Sequence, residues 1–432
     1  MLEEGFMNLI YRSRIYLIII GLFFSSNQMQ SQDYYHDNMV YVDYIKTVQF
    51  TLAGLQTSLP IVDLGSRGRL QLSFDDLEGG YKRYTYHLVH CDMNWYPTPD
   101  FAEIEYLEGF NGQDIEDYSY STNGYSDYTN YRLLLPNDDL QWIVSGNYLL
   151  VIYVDDLEIP VITRRFVVAE NRISIMYDVI KPRNVEKLNT HHELKLSVSY
   201  KNFRISQPRQ ELFATVIQNG NWYRGVYTLS GIFERGQSLI FDQYDNISFS
   251  ALKEFRKFDI RPLNYRTEFV HKIEQNDIET RVILDTEKKR VYRNFLGEID
   301  ANGFFVIDNE RYNDSEVSSE YCRVFYSLVS EYEHDRDLYI VGSFSDWQAK
   351  DEFKLEYDPL DGVYKGSAYF KQGYYDYLFA LLNEDGSLDY ESIEGSWYES
   401  ENDYQIIIYY SEFGSFYDRV LAVRNINSNN QF

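Results

Sequence analysis

The sequence is short of the residues that staple or kink small folds. Its 432 residues hold only two cysteines, Cys91 and Cys322, far apart in the chain. A disulfide framework needs more and closer pairs, so two buried thiols are the plain reading, and a bridge between them stays open. Nine prolines and 24 glycines exclude a collagen-like or proline-rich disordered chain. Basic residues are outnumbered, 40 against 67 acidic ones, for a net charge of -27. Such a field repels phosphate backbones, so nucleic acid is not an expected partner. It gives solubility, and it could steer the chain toward a basic partner. No glycine-rich phosphate loop, G-x-S-x-G elbow or H-E-x-x-H motif occurs. Neither an enzyme nor a cofactor is therefore expected. Past the leader no apolar run reaches the ~20 residues that a bilayer-crossing helix needs, so no direct membrane span is expected.

Aromatic residues are abundant: 42 Tyr and 27 Phe stand beside 5 Trp, and 44% of the chain is hydrophobic. Aromatic side chains suit a pleated, half-buried surface, with tyrosine rings on the apolar side and hydroxyls reaching out. The N-terminus has the pattern of a secretory signal peptide: Arg12 and Arg14, then Ile15 to Phe24, then the polar stretch Ser25 to Gln32. Residues 1–32 are expected to be removed on export. Met7 is the better initiator, because Glu3 and Glu4 do not suit a basic leader. No cysteine follows the leader, so lipidation is not indicated.

From Val40 onward short alternating runs are separated by turn chemistry. Ile45 to Leu52, Leu70 to Phe74, Tyr84 to Cys91, Tyr131 to Leu135, Tyr148 to Val154 and Ile162 to Val168 have strand periodicity. Asp75–Gly80, Pro136–Asp139 and Asp155–Asp156 read as turns between them. Strands at ~8–12-residue spacing without helical blocks indicate β-sandwiches. The fold class is all-β, in tandem immunoglobulin-like or early-set sandwiches after a signal peptide. The expected domains are 33–170, 171–312 and 318–424. Polar residues 308–320 read as a linker or long loop, and 425–432 as a frayed tail.

His87, His90, Cys91 and Asp92 are metal-binding residue types, but a strand turns His87 and Cys91 away from His90 and spaces them by ~13 Å. Adjacent His191 and His192 have no third ligand near in sequence. Packing is the better account of both groups. Asp114, Asp117 and Asp127 could at most form a loose calcium site, because the spacing of a calcium loop is missing. No metal residue is assigned.

Several phrases resemble the plug family of the type IX secretion system: Leu70 to Leu77, Tyr86 to Trp95, Glu105 to Phe110, Ser145 to Leu149 and Arg164 to Phe166. Their order and spacing fit that family from about Tyr41 to the C-terminus, most specifically around Cys91, Asp92 and Trp95. The resemblance implies a periplasmic protein, held at the outer membrane through its partner, that docks on a large β-barrel translocon and closes its pore. It implies no catalytic residues. Separately, Val341 to Trp347, Leu355 and Gly373 to Tyr377 resemble early-set, glycogen-binding-type modules, in which Trp347 with Tyr375 would offer a sugar-stacking face.

The expected partner surface is the aromatic-rich loop Trp95, Tyr96, Pro97 and Pro99, since loops on rigid sandwiches commonly carry binding. The protein is expected to act as a monomer. An exported glycan-binding envelope protein using Trp347 and Tyr375 is the alternative.

Overall fold

Strand pairing follows the alternation of the sequence. The protein is described here as a computed structural model covering residues 35–122, 124, 126–155 and 160–429. The expected leader, the Met7 start and Asp156 lie outside the described residues.

In the first sandwich, Leu70, Leu72 and Phe74 of strand Leu70–Asp76 point into the core with no exposure. Tyr84, Tyr86 and Leu88 of strand Tyr84–Cys91 meet them from the facing sheet. Phe74 lies edge-on to Tyr84 at 5.1 Å and stacks on Tyr131 at 5.3 Å. Such pairs add to the burial of the rings themselves. One sheet runs Met39–Val40, Pro160–Ala169, Gly146–Val154, Tyr84–Cys91, Gln113–Asp114; the other runs Ile45–Leu52, Leu70–Asp76, Thr129–Leu135, Asp117–Tyr120.

Beyond residue 170 the sheets cross the expected domain boundaries. One sheet of the second sandwich is built from Ser174–Ile180, His191–Ser199, Ser238–Phe241 and Phe233–Glu234. The other joins Asn221–Ser230 and Leu212–Gln218 to Asp403–Tyr410 and Arg419–Asn427. Leu212 faces Tyr410 and Gln218 faces Tyr404 in register. The strands expected to end the third domain therefore complete the second. Conversely, Arg256–Asp259, Val270–Gln275 and Thr280–Leu284, expected in the second domain, belong to the eleven-stranded sheet system of the third. Thr280–Leu284 pairs in parallel with Tyr321–Val329.

The third domain is thus an insertion, entered near residue 251 and left near 402. The two crossings touch: the Asn402 side-chain amide donates to the Ala251 carbonyl at 2.9 Å, and Gln218 donates to Ser250 O and Asn402 Oδ1, each at 3.0 Å. Close termini are what an inserted domain requires.

Three shorter expectations also change. Asp75 and Asp76 are fully buried at the end of a strand, because each finds a cationic partner. Residues 308–320 form a structured strap: Ser315–Ser318 makes a helical turn, Glu316 accepts from Gln71 and pairs with Arg132, and the Val317 carbonyl accepts from Thr122 N. Asn425, Ile426 and Asn427 extend the last strand instead of fraying, opposite Asp403–Gln405.

Fragment 252–401 is expected to unfold cooperatively on its own, whereas 318–424 should not, since it lacks the Arg256–Asp259 and Thr280–Leu284 strands. Thermal unfolding followed by circular dichroism decides; a cooperative transition in 318–424 would contradict this division.

Candidate functional site

Residues of the phrases that resemble the plug family gather at the joints between sandwiches. In strand Leu70–Asp76 the core takes Leu72 and Phe74, so Asp75 is turned toward the third domain. There it meets Lys371 at 2.6 Å, with both side chains essentially unexposed. The Tyr321 hydroxyl donates to the same carboxylate oxygen at 2.7 Å, and Asn130 donates to the other at 2.9 Å. Lys371 also donates to the Glu316 carbonyl and lies 4.3 Å from the Tyr128 ring centroid. Burial pulls the Lys371 ammonium below its ordinary value, against the opposing field of Asp75. The Asp75 carboxylate, the Glu316 carbonyl and an aromatic face together hold the buried lysine.

A second joint involves all three domains. Arg164 pairs with Asp346 at 3.3 Å, nearly out of water, and donates to the Met39 and Thr163 carbonyls. Asp346 and Trp347 both have left-handed backbone, φ 56° and 61°, which aims the carboxylate at Arg164. The neighbouring Arg165 donates to the His36 carbonyl, pairs with Asp37 at 3.3 Å and lies over the Trp95 ring at 4.8 Å. Trp95 meets Trp222 of the second domain edge-on at 5.0 Å. Tyr223 donates to Asp37 at 2.6 Å, and Gln348 of the third domain reaches both Asn38 O and the Tyr223 hydroxyl.

The third joint ties the first domain to the second. Arg419 forms a two-pronged contact with Glu170 at 2.8 and 2.7 Å, and Ser145 donates to the same carboxylate at 2.7 Å. Burial raises the Glu170 carboxyl, but Arg419 and Ser145 outweigh it and hold the group below the usual range. Tyr409 donates to Asn147 at 2.9 Å.

The expected site residues therefore divide. Trp95 is buried in the second joint, whereas Tyr96 is 64% exposed and Pro97 and Pro99 are exposed. The loop is held by Asp92 N to Tyr96 O and Thr98 N to His90 O. Trp347 is covered: it lies 5.8 Å from Phe255, and a Cβ at Gly303 would sit 2.2 Å from its ring. Tyr375 is enclosed between Phe258 and Phe305. Neither ring is open to a sugar, which removes the basis of the expected stacking face. Residues of the same domain cover both rings.

The candidate metal ligands are otherwise engaged. His90 is buried with Nδ1 at 2.8 Å from Thr98 Oγ1, and burial pushes it down to about 4. His192 contacts the Tyr404 hydroxyl and Tyr398 carbonyl. Asp114 faces Arg83 and Asp117 faces Arg132. Cys91 and Cys322 are buried free thiols on different sandwiches, and burial pushes Cys91 up to about 12. Among the described residues no three His, Cys, Asp or Glu side chains are placed to hold a metal ion.

A cleft of about 540 Å³ lies between the first and third domains, lined by Ile45, Thr47, Phe344, Phe353 and Tyr375, with the Lys46–Glu352 pair at 2.6 Å beside it. Sequence reasoning missed the exposed rings of Phe413 and Phe416, although two phenylalanines in the polar stretch Ser411–Ser415–Asp418 were a usable signal.

Replacing Lys371 by Met should lower the unfolding free energy by about 3–5 kcal/mol, because Asp75 is left charged and unpaired. The double variant Asp75→Asn/Lys371→Met should lose clearly less. Urea unfolding measures both; strictly additive losses would contradict a coupled pair.

Residues 45–170 match the family described as type 9 secretion system plug protein 1st domain. The match ends where the first sandwich ends, so it does not extend to the later domains. No curated protein matches the chain. A crystal structure of a hypothetical protein from Parabacteroides merdae is similar over 90% of this chain and 99% of its own, at 29% identity and a TM-score of 0.86. The C-terminal domain of the Streptococcus agalactiae AgI/II polypeptide BspA reaches only 6% identity and a TM-score of 0.15 over 88% and 99% of the two chains. Over its first sandwich, the chain is similar to the first domain of the type 9 secretion system plug family.

Proposed function

We propose that this protein is a non-enzymatic, monomeric periplasmic plug that docks on the outer-membrane translocon of the type IX secretion system and seals its pore. The family of the first sandwich supports a role in type IX secretion. The observation that carries the finer reading is the joining of three sandwiches through buried charge. A stopper must resist bending under load; two ion pairs almost out of water tie the first sandwich to the third, and the partly exposed Glu170–Arg419 pair ties it to the second. Among the described residues no helix is long and apolar enough to cross a membrane. The net charge of -27 would guide such a body toward a basic pore mouth. The glycan-binding alternative rested on Trp347 and Tyr375, and with both covered no observation favours it.

Tagged protein purified from envelopes in mild detergent should carry a very large outer-membrane β-barrel in near-stoichiometric amount, identified by mass spectrometry. Raising the salt concentration should reduce recovery of the barrel. Recovery of the tagged chain alone would contradict the proposal.

A further inference from the structure

Two loops from different sandwiches touch and together expose the apolar side chains that neither core uses. One runs from Asp92 to Gln113 in the first sandwich; the other, Ser411 to Asp418, links the last two strands of the second. Phe101 stacks on Tyr417 at 4.8 Å with the rings nearly parallel, and His90 meets Tyr417 edge-on at 5.5 Å. The Met93 amide donates to Asp418 at 2.9 Å. The Glu170–Arg419 pair fixes the next residue.

From this held base the tips project. Phe413 is 93% exposed, Phe416 74% and Ile104 84%. Ile143, whose amide donates to the Tyr106 carbonyl, lies beside the Ile104 turn and is partly open. Single exposed apolar residues are ordinary, but several on loops that touch mark a contact surface. Because the loops are anchored, little ordering would be needed on binding.

The charge around these tips has one sign. Neither loop contains a lysine or arginine, and exposed Asp100, Glu103, Glu105, Glu108 and Glu412 surround the apolar positions. Lipid-inserting tips are usually flanked by bases, since membrane surfaces are commonly anionic. An acidic border fits a protein instead, one whose apolar pockets are rimmed by lysine and arginine.

We infer that Ile104, Phe413 and Phe416 are the apolar anchors of a docking surface for such a basic-rimmed protein, and that this protein is the outer-membrane barrel. Naming the barrel rests on the proposed plug function; the surface itself does not.

The test uses the full-length tagged protein in its native envelope. A photo-crosslinking amino acid is placed at Phe413 or, as a control, at Leu360 of the third domain, which is 95% exposed. A Phe413→Ser/Phe416→Ser variant is compared with wild type for recovered barrel and for unfolding temperature. Expected are a crosslink from position 413 to the barrel, none from 360, and a fall in barrel recovery of at least about tenfold at unchanged unfolding temperature. Undiminished recovery by the double variant overturns this inference and leaves the plug reading standing. Wild type without a barrel, but crosslinked from 413 to another identified protein, keeps the surface and rejects the plug reading. No crosslink from 413 overturns the surface. So does binding of wild type, lost in the double variant, to vesicles of phosphatidylethanolamine and phosphatidylglycerol.

Discussion

Asp75 and Lys371 face each other at 2.6 Å with almost no water around either, and the relation between the first and third domains depends on that contact. Taking two charges out of water costs several kcal/mol per ion, so the pair is a weak source of net stability. Its effect is on specificity. Any packing of the two sandwiches that buries one charge without the other strands it, and that penalty of about 3–5 kcal/mol is large beside the 5–15 kcal/mol that holds a typical domain folded. The pair also recruits its surroundings. Tyr321, Asn130 and the Glu316 carbonyl have their bonding completed by it, and the strap from Asp308 to Glu320 is thereby fastened to the first sandwich.

The same logic recurs at the other joints, and it accounts for where the family phrases lie. Asp75 belongs to the first phrase, Asp92 and Trp95 to the second, Ser145 and Asn147 to the fourth, and Arg164 with Arg165 to the fifth. Every one of those residues touches another sandwich or supports a residue that does. The phrases therefore describe how the sandwiches fit together more than they describe a surface. The third phrase, Glu105 to Phe110, lies on the loop that also carries Ile104.

Local chemistry was readable wherever it decides local structure. The strand Tyr84–Cys91 follows from its alternation. What a single strand cannot reveal is its partner. Asp403–Tyr410 has the same pattern whether it pairs within the third domain or reaches back to Leu212–Gln218, so the insertion was hidden. Asp75 misled for a related reason: an aspartate beside Asp76 and Gly79 has turn chemistry unless a lysine about three hundred residues away is known to meet it. At Trp95, Trp347 and Tyr375, aromatic identity alone does not say whether a ring is open or covered. Phe413 and Phe416 show the converse, rings that the pattern passed over and the fold leaves open.

Whether buried charge makes three sandwiches behave as one body is answered most directly by differential scanning calorimetry of the intact chain. The account predicts a single transition whose calorimetric and van't Hoff enthalpies agree. Two or three separable transitions, assignable to individual sandwiches, would contradict it and would leave the joints as contacts between independent domains.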